Sequence, residues 1–466
     1  MTDVAVPPID EFRAVFEGEL IGPDHEGYEE ARQVMFSNFD RRPALVARPT
    51  STADVQAAVN YAREAGVPVA VRGGGHSAQG FGTWDEALVI DLSSMKAIEV
   101  DPERRIARAQ GGLTWGEFDA ATQEHGLAVT GGRVSTTGIA GLTLGSGSGW
   151  LERRCGLTAD NLISAEVVTA DGEILTASAT ENEDLFWGLR GGSGNFGVVT
   201  EFTYRLHQIG PIIFGGMMAA LPDRAVDILR FLRDNVEQWP DEFSCTPAFV
   251  GAPPEPDVPE EMHFAPILGL VVCWTGPIEE GEQWLAPIRE VAQPVMEKVG
   301  PMPYTALQMM LDGGSPKGER AYLKAEFIDE LTDEAIQTLA SHGNARPGPM
   351  VQLIVEPMGG AVARVGADEM ALGRRDAKWV FHAISQWMDP ADDEAHIAWP
   401  KGLAADMAPH TMDGVYLNFT SDAGEDRVRS TYGPERYARL QALKDKYDPT
   451  NLFRLNQNIR PSNGVA

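Results

Sequence analysis

The sequence predicts an α+β protein built from more than one lobe, and three observations carry that prediction. The chain has 466 residues, more than one ordinary hydrophobic core accommodates. Between residues 87 and 210 short apolar strands alternate with glycine-rich turns, and past Pro211 longer amphipathic helices are separated by strands. A hydrophobic content of 43% with 49 glycines and 31 prolines describes a globular, loop-rich chain, not a disordered or fibrous one.

Taken in order, residues 1–40 read as a helical lead-in with Phe12, Val15 and Phe16 on one face. RPALVARPT, from Arg42, is extended. Ser51 with Asp54 reads as a capping box opening a helix that carries Val55, Ala58, Val59 and Ala62 on one face and stops at Gly66. VPVAVRGGGH follows as a strand running into a glycine cluster. ISAEVVTADGEILTAS reads as a hairpin turning at Asp171-Gly172, and VVTEFTYRL (198–206) as a half-buried strand. Helical patterning in this lobe is confined to 51–65, 114–125 and 182–189. Beyond it, DRAVDILRFLRDNVEQW and the segment near 279–298 read as helices, while PILGLVVCWTG, MVQLIVEPMGG and WVFHAISQWM read as strands. GAPPEPDVPEE (251–261) reads as an exposed proline-rich acidic loop. The tail reads as a strand (DGVYLNFT), a helix from about Glu435 to Lys446, and then DPTNLFRLNQNI. No internal repeat is visible.

The balance of 38 basic against 68 acidic residues, a net charge of −30, repels phosphates, so nucleic acid and anionic membranes are excluded as partners. The acidic residues are dispersed and read as a hydrated surface. MTDVAVPPID has neither the basic nor the apolar region of a secretory signal, and no apolar run is long enough to span a bilayer. Cys155, Cys245 and Cys273 have no metal-ligand or disulfide spacing. The expectation is a reduced, soluble, cytoplasmic protein without a metal, acting on a small molecule. Its oligomeric state is not legible.

Glycines concentrate at 72–80 (RGGGHSAQG), 131–149 (GGRVSTTGIAGLTLGSGSG), 190–197 (RGGSGNFG) and Gly111-Gly112. Such density lets backbone N–H groups line a concavity and approach a pyrophosphate closely. Gly192, Gly194 and Gly197 satisfy G-x-G-x-x-G, but a helix-like segment precedes them and a strand follows. That order is the reverse of the dinucleotide fingerprint, so a Rossmann NAD site is not expected. His76 ends a strand immediately after three glycines. A neutral imidazole held in one tautomer is a good nucleophile, and a side-chain-free loop could carry it to the 8α-methyl carbon of a flavin.

In combination, RPTSTADVQAAVNYAREAGVPVAVRGGGHS, GGLTWGEF, GIAGLTLGSGSGWLERRCGLTADNL, RGGSGNFGVVTEF and YDPTNLFRLNQNI are highly specific. The combination resembles the berberine-bridge-enzyme-like FAD-linked oxidases, with the vanillyl-alcohol-oxidase or p-cresol-methylhydroxylase (PCMH) type of FAD-binding fold, in a bacterial build, over nearly the whole chain. The resemblance implies a PCMH-type FAD-binding domain of two subdomains over 41–210, after the lead-in at 1–40. It implies a substrate-binding domain over 211–412, with a large antiparallel sheet covered by helices, and a berberine-bridge-like segment over 413–466 that returns to the FAD domain. His76 matches the histidine covalently bonded to FAD. Arg72, Gly73, Gly74, Gly75, Ser77, Gln79 and Gly80 match the first cofactor loop. Gly138, Gly141, Leu142, Gly145, Gly147, Gly149 and Trp150 match the second; Gly194, Asn195, Gly197 and Val198 the third; Asn456 and Gln457 the returning tail. The implied chemistry is hydride transfer from a small amine, alcohol or natural-product intermediate to FAD, with oxygen reduced to hydrogen peroxide.

The sequence departs from that pattern twice. Where some members carry a second, cysteine attachment, Val134 or Ser135 stands; Cys155 lies downstream and reads as a small buried residue, so single attachment is expected. Where alcohol- and sugar-oxidising members carry Y-x-N-Y with a basic last tyrosine, this chain has Tyr416-Leu417-Asn418-Phe419. Phe419 takes no proton, and Tyr416, read on a strand, projects to the opposite face. A site without that phenolate suits an amine; otherwise Tyr416, Tyr432, Tyr304, Tyr322 or His382 would serve as the catalytic proton acceptor. Ile139 matches a position near the flavin face where oxygen approaches, which leaves a dehydrogenase using another acceptor as the alternative. A non-catalytic flavin-binding protein is the remaining one.

Overall fold

The computed structural model describes residues 9–254, 258–372 and 374–465. Three principal sheets organise them, and the α+β expectation holds. The first has the strand order Glu19–Ile21, Leu45–Arg48, Leu88–Asp91, Val69–Arg72. Leu88–Asp91 pairs in parallel with both Leu45–Arg48 and Val69–Arg72. Helix Thr52–Ala65 supplies the crossover, burying Val55, Ala58, Val59 and Ala62 against Leu45, Val69 and Leu88. It stops at Gly66, whose φ of 66° is the left-handed region.

The second sheet is antiparallel, in the order Ile98–Asp101, Ile106–Gln110, Val198–Arg205, Leu162–Val168, Ile174–Ser178. The expected hairpin is its edge, turning through Gly172 at φ 83°. The third sheet has seven antiparallel strands in the order Met296–Pro303, Ile212–Ala220, Pro266–Trp274, Phe243–Gly251, Gln352–Pro357, Trp379–Trp387, Arg320–Ile328. Helices Ala225–Asn235, Gly281–Ala292, Asp333–Asn344 and Asp393–Met407 cover one face, packing Leu232, Leu285, Ile336 and Leu403 into a shared core with Phe249, Leu270 and Phe381. Among the described residues no helix is long and apolar enough to cross a membrane.

Several local expectations are corrected. The lead-in holds a helix (Ile9–Val15) but also strand Glu19–Ile21, and its residues 1–8 lie outside the described residues. Phe12 and Phe16 are buried, whereas Val15, at the helix end, is 64% exposed. Only half the capping box forms: Asp54 N donates to Ser51 Oγ at 3.1 Å, but the Asp54 carboxylate accepts from Thr50 N and Glu17 N, tying the lead-in to the helix. Residues 255–257 of the proline-rich loop are outside the described residues; Glu260–Met262 beside them is a 3-10 turn.

Helix Ile139–Leu144 escapes the sequence reading because it is apolar nearly all round, with five of its residues buried, so no amphipathic contrast marks it. Strands Ile212–Ala220, Phe243–Gly251 and Arg320–Ile328 were not anticipated either. DGVYLNFT forms no strand. Met412 N and Tyr416 N each donate once to Arg320–Ile328, at Phe327 O and Ala325 O, before the chain turns through a 3-10 segment, Leu417–Phe419. The final helix begins at Glu425, ten residues early, and bends at Gly433 (φ 73°).

That helix carries a buried polar hub. Lys444 Nζ donates to Asp448 Oδ2 (2.7 Å), Asn195 O (3.0 Å) and Phe453 O (2.9 Å), while Asp448 also accepts from Leu452 N and Phe453 N. Removing the ammonium leaves a carboxylate buried without its countercharge. Lys444→Ala is therefore expected to cost about 3–5 kcal/mol, read as a fall in the denaturant midpoint; a loss below about 1 kcal/mol would show the hub is not an ion pair.

Candidate functional site

Two glycine loops meet back to back. A Cβ built on Gly74 would lie 2.2 Å from Gly138 N, and one on Gly138 would lie 2.2 Å from Gly74 N. Neither position admits a side chain, so the loop leaving Val69–Arg72 is pressed onto the start of helix Ile139–Leu144. His76 lies just beyond the contact, with Nε2 2.9 Å from Thr136 Oγ1 and Nδ1 3.5 Å from Thr137 Oγ1. It keeps some accessible surface, facing a cavity, yet lies deep in the molecule; that burial pushes its pKa down to about 4, partly offset by the charge of Asp312. The imidazole is neutral at ordinary pH.

The cavity has a volume of about 300 Å³. Beside the first sheet its wall is apolar: Val69, Val71, Leu92, Val198, Val199 and Phe453. Gly73, Gly74, Gly75, Gly138, Gly141, Gly194 and Gly197 line it with backbone. A Cβ at Gly141 or Gly194 would meet nothing within 4 Å, so a side chain there would occupy cavity that glycine leaves free. The uncovered face of the seven-stranded sheet closes the other side with Gln352, Ile354, His382, Ile384 and Gln386. Two-residue alternation puts these on one face, with Gln352 opposite Ile384 and Ile354 opposite His382. Met35, Phe36, Leu311, Leu323 and Phe419 complete this apolar end. The lining fits FAD: apolar side chains for a flat base, glycine backbone for a pyrophosphate, and a neutral imidazole at the wall.

Of the residues expected to hold a cofactor, Arg72, Ser77, Leu142, Val198, Asn456 and Gln457 line this cavity with His76 and the glycines just named. The Arg72 guanidinium, however, is committed to Asp91 (2.8 Å) and to the Ala31 and Gln33 carbonyls, which makes it a strut under the loop. Gln79, Gly80, Gly145, Gly147, Gly149, Trp150 and Asn195 are not in the lining. They support it instead. Gln79 Nε2 donates to Thr420 O, and Gly149 is pressed against Gly131 O. Gly145 lies under the Asn418 side chain, whose Nδ2 donates to Gly145 O at 3.1 Å. Asn195 binds the tail, donating to Gln457 O and accepting from Ile459 N.

The catalytic candidates separate sharply. Tyr416 does not project away from Phe419: because a 3-10 turn replaces the strand, their rings stack 5.7 Å apart at 20°. Its hydroxyl is buried, accepting from Ser148 N at 3.0 Å, and lies outside the lining. Tyr432 donates to Gly191 O at 2.9 Å within the hydrophobic core, Tyr304 is wholly buried elsewhere, and Tyr322 donates to Asp422; none of the three lines the cavity. His382 does. Its Nε2 lies 3.0 Å from Glu356 Oε2, Glu356 also pairs with Arg133, and the imidazole Nδ1 has no partner among the described residues. Burial, aided by the Arg133 charge, pushes its pKa down to about 3, so Nε2–H donates to the carboxylate. The Phe419 ring packs 4.8 Å from the imidazole.

Two further expectations are resolved geometrically. Ile139 is fully buried in the core and outside the cavity lining, because the helix turns it inward; Ala140 presents the methyl that lines the cavity. Cys155 is buried away from the cavity, its thiol pushed up to about 12 by burial, while Val134 lines the cavity. Sequence reasoning overlooked Arg133, Thr136, Gln352, Glu356 and Gln386. For Gln352, Glu356 and Gln386 a signal existed, namely polar residues at alternate positions of strands otherwise apolar.

Residues 43–178 match the family model described as an FAD binding domain, and residues 415–460 match the berberine and berberine-like model. The chain is 30% identical to an uncharacterised FAD-linked oxidoreductase, YgaK, of Bacillus subtilis, over 95% of this chain and 97% of that protein. It is 30% identical to (R)-6-hydroxynicotine oxidase of Paenarthrobacter nicotinovorans, over 96% and 97%. Its structure superposes with a TM-score of 0.85 on glucooligosaccharide oxidase from Acremonium strictum, a protein with a 6-S-cysteinyl, 8α-N1-histidyl FAD, at 27% identity over 97% of this chain and 99% of that one.

The burial of His382 has a pH signature. Burial and the Arg133 charge push its pKa from 6.5 in the unfolded chain down to about 3, against the opposing pull of the Glu356 carboxylate 3.0 Å away. Between those values the unfolded chain binds a proton that the folded chain refuses, so stability falls as pH drops through that window, by at most about 1.4 kcal/mol per pH unit. Asp119 and Glu319, both raised to about 7 by burial, act with the opposite sign but are common to native and variant proteins. The stability gap between the native protein and His382→Gln should therefore shrink as pH is lowered from about 7 to about 5, in urea titrations at each pH. A gap that ignores pH would place a solvated imidazole at this position.

Proposed function

The chain belongs to the FAD-linked oxidoreductases that join an FAD-binding domain to a berberine-like carboxyl-terminal segment, and from that premise we propose that it is an oxidase holding FAD covalently through His76 alone. The observation that carries this reading is a neutral imidazole facing a cavity whose glycines, Gly141 and Gly194, leave open room. Gly73 to Gly75, Gly138, Gly194 and Gly197 would surround the pyrophosphate with backbone, and Val69, Leu92, Val198 and Phe453 would sandwich the adenine. Asn456 and Gln457 would close over the cofactor from the tail. The absence of a cysteine at Val134 and Ser135, with Cys155 remote, supports a single attachment. Bound FAD would accept a hydride from the substrate and pass the electrons to dioxygen, giving hydrogen peroxide.

The sheet wall supports a small, uncharged, largely apolar substrate. Leu311, Leu323, Ile354, Ile384 and Phe419 offer contact area, and Gln352 and Gln386 offer neutral hydrogen bonds. Of the carboxylates nearest to it, Glu356 is paired with Arg133, and Asp312, outside the lining, is held by hydrogen bonds from Ser135. Among the described residues no carboxylate lines the cavity, so a cationic substrate would enter at the cost of desolvation. Among the described residues no phenolic hydroxyl reaches the cavity, which favours an amine: its nitrogen lone pair assists C–H cleavage without a separate base. Only the neutral amine has that lone pair, so the wall and the chemistry select the same protonation state.

Anaerobic mixing is the test. Hydrophobic cyclic amines are expected to bleach the flavin, faster as pH rises toward the pKa of the amine, and to yield peroxide when air is admitted. His76→Ala should release the flavin into the supernatant on acid precipitation, whereas the native pellet stays yellow. Bleaching by sugars but not by amines would overturn the substrate reading; flavin released by acid from the native protein would overturn the covalent one.

A further inference from the structure

One hydrogen-bonded chain at the site remains without a role. It begins on the 3-10 turn Asp312–Gly314, next to the cavity-lining Leu311. The Asp312 carboxylate accepts from Ser135 N at 2.8 Å and from Ser135 Oγ at 2.6 Å. Thr136, the next residue, holds Oγ1 2.9 Å from His76 Nε2, and Thr137 reaches Nδ1 only at 3.5 Å. The backbone here is pinned as well: Gly116 N donates to Ser135 O and Trp115 N to Thr137 O. A neutral imidazole has a single N–H. The shorter contact is where that hydrogen is best held, and the lone pair then falls on Nδ1, whose neighbouring hydroxyl is distant enough to yield.

We propose that Thr136 is a positioning residue for flavin attachment: it accepts the hydrogen bond from Nε2–H of His76, directs the Nδ1 lone pair into the cavity, and is held there by Asp312 through Ser135. The proposal rests on the covalent reading of His76 and adds what sets the tautomer. In the attachment one 8α C–H bond is replaced by a C–Nδ1 bond. Two protons leave, one from that carbon and one from Nε2, and with two electrons they reduce dioxygen to hydrogen peroxide. The ring carries positive charge as the bond forms. Thr136 Oγ1 stabilises it by direct hydrogen bonding, and the carboxylate of Asp312 by its field.

The test follows covalent flavin in the full-length protein, by in-gel fluorescence and intact mass after denaturation, with total bound flavin measured beforehand. Thr136→Val is expected to bind FAD but to attach it at least about tenfold more slowly, the value of one hydrogen bond to a charged group. Thr136→Ser should restore attachment, and Asp312→Asn should slow it. The native flavopeptide should show NMR correlations from the 8α protons to Cγ of His76, the signature of a Nδ1 linkage. Attachment at the native rate in Thr136→Val, or correlations to Cδ2 instead, would overturn the proposal while leaving the covalent reading intact. Should Thr136→Val not fold, unchanged attachment in Asp312→Asn overturns it equally. A native protein without covalent flavin defeats both readings together.

Discussion

The constraint on which the site depends is the contact between Gly74 and Gly138, where two backbones approach within the space a single Cβ would fill. A chain segment from the parallel sheet and a helix start from the glycine-rich stretch are joined there without any side chain between them. The position of His76 follows directly. Two residues beyond the contact, it can only lie against the Thr136–Thr137 segment that precedes Gly138, and its ring is enclosed on that side while open to the cavity on the other. Enclosure removes solvent, the loss of solvent keeps the imidazole neutral, and neutrality is the state a nucleophile needs.

Around that contact, charge is handled by pairing. Arg72 is neutralised by Asp91 beneath the first loop, Arg133 by Glu356 under the sheet, and Lys444 by Asp448 behind the third loop. Each pair is almost wholly buried, and each braces a segment that lines the cavity. The result is a site surrounded by charge yet presenting little of it. Dispersion and neutral hydrogen bonds from Gln352 and Gln386 are left to select what enters.

The halves of the chain interlock through side chains around the cavity. Asp312, from beside the seven-stranded sheet, grips Ser135; Asn195 grips the tail; Asn418 Nδ2 donates to Leu142 O and Gly145 O. Such contacts let loops of high glycine content hold one conformation, since the entropy glycine would otherwise retain is opposed by many small enthalpic ties.

How much of this was readable in advance depends on locality. Helix Thr52–Ala65, its stop at Gly66, the hairpin at Gly172 and the glycine clusters are set by residues close in sequence, and the pattern of the chain alone determined them. So did the combination of RGGGHS with the later glycine runs, which marks the FAD-binding domain. The fate of the tyrosines was not determined that way. Whether Tyr416 faces Phe419 or opposes it turns on whether 413–420 pairs as a strand, and that depends on Arg320–Ile328, far away in sequence. Helix Ile139–Leu144 was hidden because burial on all sides erases periodicity. The partners of His382 and His76, namely Glu356, Arg133, Thr136 and Asp312, come from distant segments. Only tertiary packing decided these, because burial and proximity, not residue type, set which imidazole is neutral, which hydroxyl is committed, and which side chain meets the cavity.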